Sequence, residues 1–391
     1  MRIAIIVDTF PSLSETFISN KVIGLSESGH ELTVFCHRSN QKVFAQLSQQ
    51  LRNVRIVLFS KNSITRYVLS HPGLWPGELV HPAGSKQYLL RKARSGLINR
   101  YKPDIIHFEF SGIGIEYLNE FRYLKAKTVV SCRGSAEKVK LLMSADRREK
   151  FARLMQVVDA VHCVSDDMRA TIASYCPPEK IFINHPSINS SFFRRSRPVA
   201  AGKKNVILSI GRLTFQKGHA AGLMAMKKLK EAGLPFHWVI MGDGNKYEEI
   251  VFKTRQLGLQ NEVKLVGSGS REEVKHLMEE SSVFFLPSVY EGIANVVLEA
   301  MSLELPVVSS RCGGMEEVIT DGQDGLLADV YDPGEMAEQL MRLLTDEELY
   351  KRIAGNCRAT IEKRFSIDRQ LTVFENKYLE LCGLKKAGGV S

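Results

Sequence analysis

Short apolar runs rich in β-branched residues alternate, through nearly the whole chain, with stretches whose apolar residues recur at helical spacing. In the first half the strand-like runs are Ile3–Val7, Glu31–Phe35, Val54–Leu58, Ile105–Phe108, Thr128–Ser131 and Ala160–Val164. Helical periodicity falls at Glu15–Ser28, Ser85–Arg100 and Asp166–Ser174. The pattern then restarts, with strands predicted at Asn205–Ile210, His237–Met241, Val263–Val266, Val283–Pro287, Pro306–Ser309 and Gly325–Leu327. Strands apolar on both faces and separated by helices predict parallel sheets covered on each side, an α/β architecture laid down twice.

Residues 194–204 carry no apolar period and read as a linker, so domains are expected at 1–197 and 198–365. The tail, Pro333–Leu344 and then Asp346–Cys382, is helical by pattern, and its last part, 366–385, is expected to cross back onto the first domain. Ser60–Gly84 holds more punctuation than period and predicts a long loop near a functional cleft. Two basic stretches, Leu89–Tyr101 and Glu137–Met155, read as amphipathic helices packed on their sheet, with a membrane-surface role as the other reading.

A length of 391 residues exceeds what one hydrophobic core supports, which agrees with two domains. No apolar run is long enough to span a bilayer, and the opening Met1–Val7 stops at Asp8 without a small-residue cleavage site, so it reads as a buried strand. Seven scattered cysteines without C-x-x-C argue against a disulfide framework or a zinc site and point to the cytoplasm. Charge is uneven: residues 1–197 carry 29 basic and 16 acidic side chains, whereas 198–391 carry 24 and 27. The basic half suits an anionic membrane surface or an acidic acceptor; with no reader motif in the chain, nucleic acid is not expected as a partner.

Chemistry concentrates at the carboxyl ends of the predicted second-half strands. After Val283–Pro287 come Glu291, a turn through Gly292, Ile293 and Ala294, and a helix that starts near Asn295 and carries Glu299. Such a strand–turn–helix step presents backbone N–H groups to a phosphate or a sugar hydroxyl. Were the whole span helical, the two glutamates would sit about 80° apart around the axis, so Glu291 is expected in the turn and Glu299 in the helix. Carboxylates accept hydrogen bonds from vicinal hydroxyls, which suits Glu299 to a ribose and Glu291 to a hexose; a capping Glu291 and a surface Glu299 are the plainer alternative. Gly211, Arg212 and Lys217 follow the strand Asn205–Ile210, where two cations can neutralise a departing diphosphate. Gly242-Asp243 and Gly267-Ser268 are tight turns after the next two strands and are expected to line the nucleotide crevice. No G-x-x-x-x-G-K-[ST] is present, which argues against a P-loop phosphotransferase. In the first half, Ser14, Glu15 and Thr16 lead into a helix, and Arg133 ends a strand; these are expected to border the acceptor. His107 lies in a buried strand and reads as a satisfied core histidine.

Together these residues resemble the retaining glycosyltransferases of family 4, of the two-Rossmann-domain (GT-B) type. The resemblance rests on Glu291-x7-Glu299, Gly211-Arg212-Leu213 with Lys217, Pro306-Val307-Val308, and Asp321-Gly322-x-x-Gly325-Leu326-Leu327. It implies two Rossmann-like domains facing each other across a cleft, with Glu291, Arg212 and Lys217 catalytic. It further implies a nucleotide-sugar donor, UDP-sugar favoured, and a glycan or lipid-linked acceptor. The chain has no D-x-D, so cationic side chains take the place of a metal, and neither metal nor other cofactor is expected. Ser14-Glu15-Thr16-Phe17 looks like the subset that builds bacterial exopolysaccharide, colanic-acid-like polymer or lipopolysaccharide, which implies cytoplasmic work at the inner face of the plasma membrane. The chain departs from the family at Arg133-Gly134, where many members have His-Gly, and at Asn184–Asn189, where N-G-V-D is usual. A nucleotide-sugar epimerase or hydrolase on the same scaffold, and a degenerate transferase acting as a binding subunit, are the competing readings.

Overall fold

A computed structural model describes residues 1–12, 15–70, 85–196 and 205–384. The chain divides into two units, one formed by 1–164, 168–184 and the segment from 367 onward, the other by 165–167 and 185–366.

In the first unit seven parallel strands form one sheet: β1 (Arg2–Thr9), β2 (Glu31–Arg38), β3 (Val54–Leu58), β4 (Ile105–Phe108), β5 (Lys127–Cys132), β6 (Ala160–Cys163) and β7 (Ile181–Ile183). Their order is β3-β2-β1-β4-β5-β6-β7, so the winding reverses between β1 and β4. Open α/β sheets bind ligands beyond the carboxyl ends of the strands at such a reversal. Ile3, Ile5, Ile105 and Val129 are buried on one face and Ala4, Ile6, Ile106 and Val130 on the other, which is why these strands read as continuous apolar runs. The helix Ile367–Leu381 belongs to this unit, with Leu371, Phe374 and Tyr378 buried beside Ile18, Val22 and Leu25 of the helix Thr16–Glu27.

Three local expectations for this unit are corrected. Strand β7 was not foreseen, because three half-buried residues at a sheet edge carry too little pattern. The long loop expected at 60–84 begins instead with a helix, Lys61–Leu69, opened by the Ile64 N–H donating to the Ser60 carbonyl and held by Tyr67 against the core. Residues 71–84 lie outside the described residues. The basic stretch 137–155 is three helices, Ser135–Lys138, Lys140–Met143 and Ala145–Val157, because Ser144 adopts an extended backbone and caps the last of them at the Arg147 N–H, 3.2 Å away.

The second unit repeats the plan with six parallel strands: β8 (Val206–Ile210), β9 (His237–Met241), β10 (Val263–Leu265), β11 (Val283–Leu286), β12 (Val307–Ser310) and β13 (Leu326–Ala328). The order β10-β9-β8-β11-β12-β13 places the reversal between β8 and β11. Beneath it, buried polar groups are matched: the Trp238 indole donates to Ser209 Oγ at 2.9 Å, and Ser209 donates to the Phe285 carbonyl at 2.6 Å, tying β9, β8 and β11 together.

The division between units falls at 184/185, before the expected linker. Ile188 and Phe193 are buried in the second unit's core, and Arg195 donates to the Leu303 and Glu279 carbonyls, so this stretch packs as structure. Residues 197–204 lie outside the described residues. The helical tail 346–382 is two helices, the second close to the expected 366–385. It breaks between Glu347–Arg364 and Ile367–Leu381, where Phe365 leaves helical geometry, its carbonyl takes the Ile188 N–H and Ser366 bridges to Ile188.

Candidate active site

Glu291 sits in the turn between β11 and the helix Asn295–Ser302, as the helical phase argued, and Glu299 lies inside that helix. Across the reversal, the chain leaves β8 through Gly211 and Arg212, makes a short 3-10 turn at Phe215–Lys217 and enters the helix His219–Glu231. The two exits meet. Lys217 Nζ pairs with Glu291 Oε1 at 2.7 Å, Gln216 Nε2 donates to Oε2 at 3.0 Å, and Ser288 Oγ donates to Oε1 at 2.8 Å. Glu291 is 6% accessible, so its carboxylate is fixed by three donors in a partly desolvated pocket. Gln216 and Ser288 were missed from sequence, although they stand next to Lys217 and three residues before Glu291.

Backbone packing makes this meeting possible at two glycines. Gly218 has φ +62°, and a Cβ there would lie 1.9 Å from the Pro287 carbonyl oxygen. Gly313 has φ +59°, and its Cβ would lie 2.0 Å from the Glu291 carbonyl oxygen. Both positions combine left-handed backbone with a close approach that no side chain tolerates. Arg212 is exposed and makes no ion pair among the described residues, while its charge is felt at the Tyr290 hydroxyl, whose pKa burial and Glu291 push up. The turns after β9 and β10 join the same rim: the Gly211 N–H donates to Met241 O at 3.0 Å, Leu213 N–H to Asp243 O at 2.9 Å, and Gly242 N–H to Gly267 O at 2.7 Å. Asp243 and Ser268 are exposed there. The Asn295–Ser302 helix begins at Ala294 without a side-chain cap, while the Gly292 carbonyl takes the Gly314 N–H at 2.8 Å.

Burial lifts the Glu299 carboxyl to about 7, against the pull of Arg271. Arg271, with its guanidinium 4.2 Å from the Phe192 ring, is a neighbour that the sequence did not reveal. Asp321 of the D-G-x-x-G turn plays a structural part, accepting the Leu327 N–H at 2.9 Å and Arg311 at 2.9 Å.

In the first unit, Arg133 is already partnered. Its Nη2 pairs with Glu109 Oε2 at 2.6 Å, its Nε donates to the Glu109 carbonyl at 3.0 Å, and its guanidinium lies 4.4 Å from the Phe17 ring. Lys21 takes the other Glu109 oxygen at 2.6 Å. Two cations thus share one fully buried carboxylate, leaving a surplus positive charge near the β1/β4 reversal. Burial would raise Glu109, yet Lys21 and Arg133 bring it below its ordinary value, and burial lowers Lys21 to about 8. His107 is satisfied as expected: Lys21 and Tyr378 reach its Nδ1 at 2.9 and 2.6 Å, and Ser131 Oγ lies 2.7 Å from Nε2. Ser131 continues to His162 Nδ1 at 2.8 Å, and His162 Nε2 donates to the Asn184 carbonyl at 2.8 Å. That terminal carbonyl fixes the proton on His162 Nε2, so Ser131 donates to Nδ1 and His107 donates through Nε2. Burial keeps both imidazoles neutral, well below their ordinary pKa. Glu15 and Thr16 stand at the entry to the helix Thr16–Glu27, and Ser14 lies outside the described residues.

The chain resembles known proteins along most of its length. The description "Glycosyltransferase Family 4" matches residues 14–192, and "Glycosyl transferases group 1" matches 191–360. The amylovoran biosynthesis glycosyltransferase AmsK of Erwinia amylovora is 27% identical over 94% of this chain and 96% of its own length. The putative colanic acid biosynthesis glycosyltransferase WcaL of Salmonella typhimurium is 24% identical over 95% and 98%. Among solved structures, Anabaena Alr3699/HepE in complex with UDP and glucose superposes with a TM-score of 0.79 at 16% identity, covering 97% of this chain and all of that one. With two Rossmann-like domains and family descriptions that together match residues 14–360, the chain belongs to the glycosyltransferases of family 4.

Proposed function

We propose that this glycosyltransferase moves a hexose or related sugar, with retention and without a metal, from a nucleotide-sugar donor to a hydroxyl of a glycan or lipid-linked acceptor. The observation that carries the reading is the 2.7 Å contact between Lys217 and Glu291 at the reversal of the second sheet. A donor entering beyond the carboxyl ends of β8 and β11 brings its diphosphate to Lys217 and Arg212. Its hexose hydroxyls then donate to Glu291, replacing the lysine contact. Two fixed cations stabilise the negative charge that develops as the nucleoside diphosphate leaves. They do so without a metal. The leaving phosphate oxygen, on the same face as the attacking hydroxyl, accepts its proton. Glu299, one helix turn and more beyond, takes the ribose diol once ionised.

UDP-sugars are favoured as donors, in keeping with the UDP and glucose held in complex by HepE. The likeness to AmsK and WcaL supports a role in bacterial surface-polysaccharide synthesis, carried out in this reading in the cytoplasm at the inner face of the plasma membrane. On the acceptor side, the surplus charge of Lys21, Arg133 and Glu109 favours an acceptor with a phosphate or carboxylate, near Glu15 and Thr16. The test is a thermal-shift screen of nucleotide sugars, since a ligand at 100 times its Kd adds about 2.7 kcal/mol. A UDP-sugar is expected to stabilise the protein most, and the product's anomeric configuration, read by NMR, is expected to match the donor's. Inversion, or activity abolished by chelation, would contradict the reading.

A further inference from the structure

The two most exposed large apolar side chains among the described residues are neighbours, Leu142 at 77% and Met143 at 79%. They end the short helix Lys140–Met143, in the connection that leaves the carboxyl end of β5. The tip is held in place. Leu141, 3% accessible, roots it in the core, Arg148 Nη1 donates to the Leu141 carbonyl at 2.9 Å and the Leu142 carbonyl at 3.2 Å, and Ser144 caps the helix that follows. With the backbone already held, only the rotamer freedom of the two side chains is lost when something covers them.

Charge says what covers them. Residues 138–153 contain six basic and two acidic side chains; of the cations Lys140, Lys150 and Arg153 are exposed, and one of the acids, Asp146, is paired with Lys150. A stable protein partner asks for about 1,000 Å² of interface, built around aromatic or arginine anchors. Two aliphatic side chains on a four-residue helix offer far less. A bilayer rich in acidic headgroups accepts both halves of the feature: the apolar pair enters the acyl boundary while the cations lie among the phosphates.

We propose that the Leu142–Met143 tip is a membrane wedge that seats the first unit on an anionic phospholipid surface. The proposal rests on the membrane location read above and names the surface responsible. The two are tested separately, since Leu142 and Met143 lie outside the residues assigned to donor or acceptor.

The experiment is co-sedimentation of the full chain with phosphatidylglycerol-containing vesicles and with phosphatidylcholine vesicles, beside transfer to a water-soluble acceptor. Wild type is expected to sediment with the anionic vesicles and to be released by salt. The double substitution Leu142→Ser with Met143→Ser is expected to weaken partitioning about tenfold, with melting temperature and soluble transfer unchanged. Met143→Trp, which keeps the wedge apolar, is expected to bind as wild type does, with emission shifted to the blue on anionic vesicles. Partitioning unchanged by the double substitution would overturn the proposal. Equal binding to both vesicle types would overturn its anionic part, and no binding to either would hand the tip to a protein partner. Loss of soluble transfer in wild type would count against the transferase reading alone.

Discussion

At Glu299 a carboxylate that the proposed chemistry needs ionised sits where burial holds its pKa at about 7. The sign follows from linkage. Against an ordinary 4.5, ionisation burdens the folded state as pH rises from about 4.5 to about 7, by roughly 3 kcal/mol when complete. Glu299→Gln is therefore expected to melt above wild type at pH 8 and together with it near pH 4.5. Nucleotide affinity runs the other way, strengthening in wild type as pH rises through 7 and staying flat in the variant; calorimetry across that range checks both arms. Lys21, Glu109 and Arg133 behave as a unit of a different kind. Glu109→Gln leaves two cations buried without their anion and is expected to lose about 3–5 kcal/mol of stability by denaturant titration. Lys21→Met leaves a matched pair and is expected to lose distinctly less. If the two losses are equal, the surplus charge assigned to this cluster is absent.

Elements place these residues through backbone as much as through side chains. Gly218→Ala would force left-handed backbone on a residue with a Cβ and drive it into the Pro287 carbonyl, at an expected cost of at least about 2 kcal/mol. Its donor-dependent thermal shift should also shrink, because the turn that positions Lys217 moves. Strands were the most legible elements: Ile105–Phe108, buried along its whole length, and the partly exposed Val54–Leu58 and His237–Met241 all appear with the predicted bounds. Interruptions were the least legible. The breaks at Ser144 and Phe365 depend on a cap and on pairing with Ile188, a partner far away in sequence. Site residues followed the same rule. Glu291, Lys217 and the glycine turns announced themselves by position after strands, whereas Arg271, Lys21 and Glu109 join their neighbours through folding across long separations, and nothing local marks them. Arg133 was legible as an unusual residue, but its bond to Glu109 was not.

For the whole molecule, one winding pattern used twice yields two sheets with reversals at equivalent places, β1/β4 and β8/β11. Each reversal gathers a surplus of one cation: Arg212 beside the Lys217–Glu291 pair in the second unit, and Lys21 with Arg133 around Glu109 in the first. The basic surplus of residues 1–197 is thus expressed partly inside, at Lys21 and Arg133, and partly outside, around the Leu142–Met143 tip. Among the described residues no helix is long and apolar enough to cross a membrane. In the proposed reaction Lys217 and Glu291 exchange their mutual contact for the donor's diphosphate and hexose. Steady-state transfer by Lys217→Ala at saturating donor tests it most directly. A loss of about 10²–10³ in kcat is expected, the magnitude of removing one preorganised donor from a developing anion. A variant that folds as wild type does and turns over at the wild-type rate would contradict it.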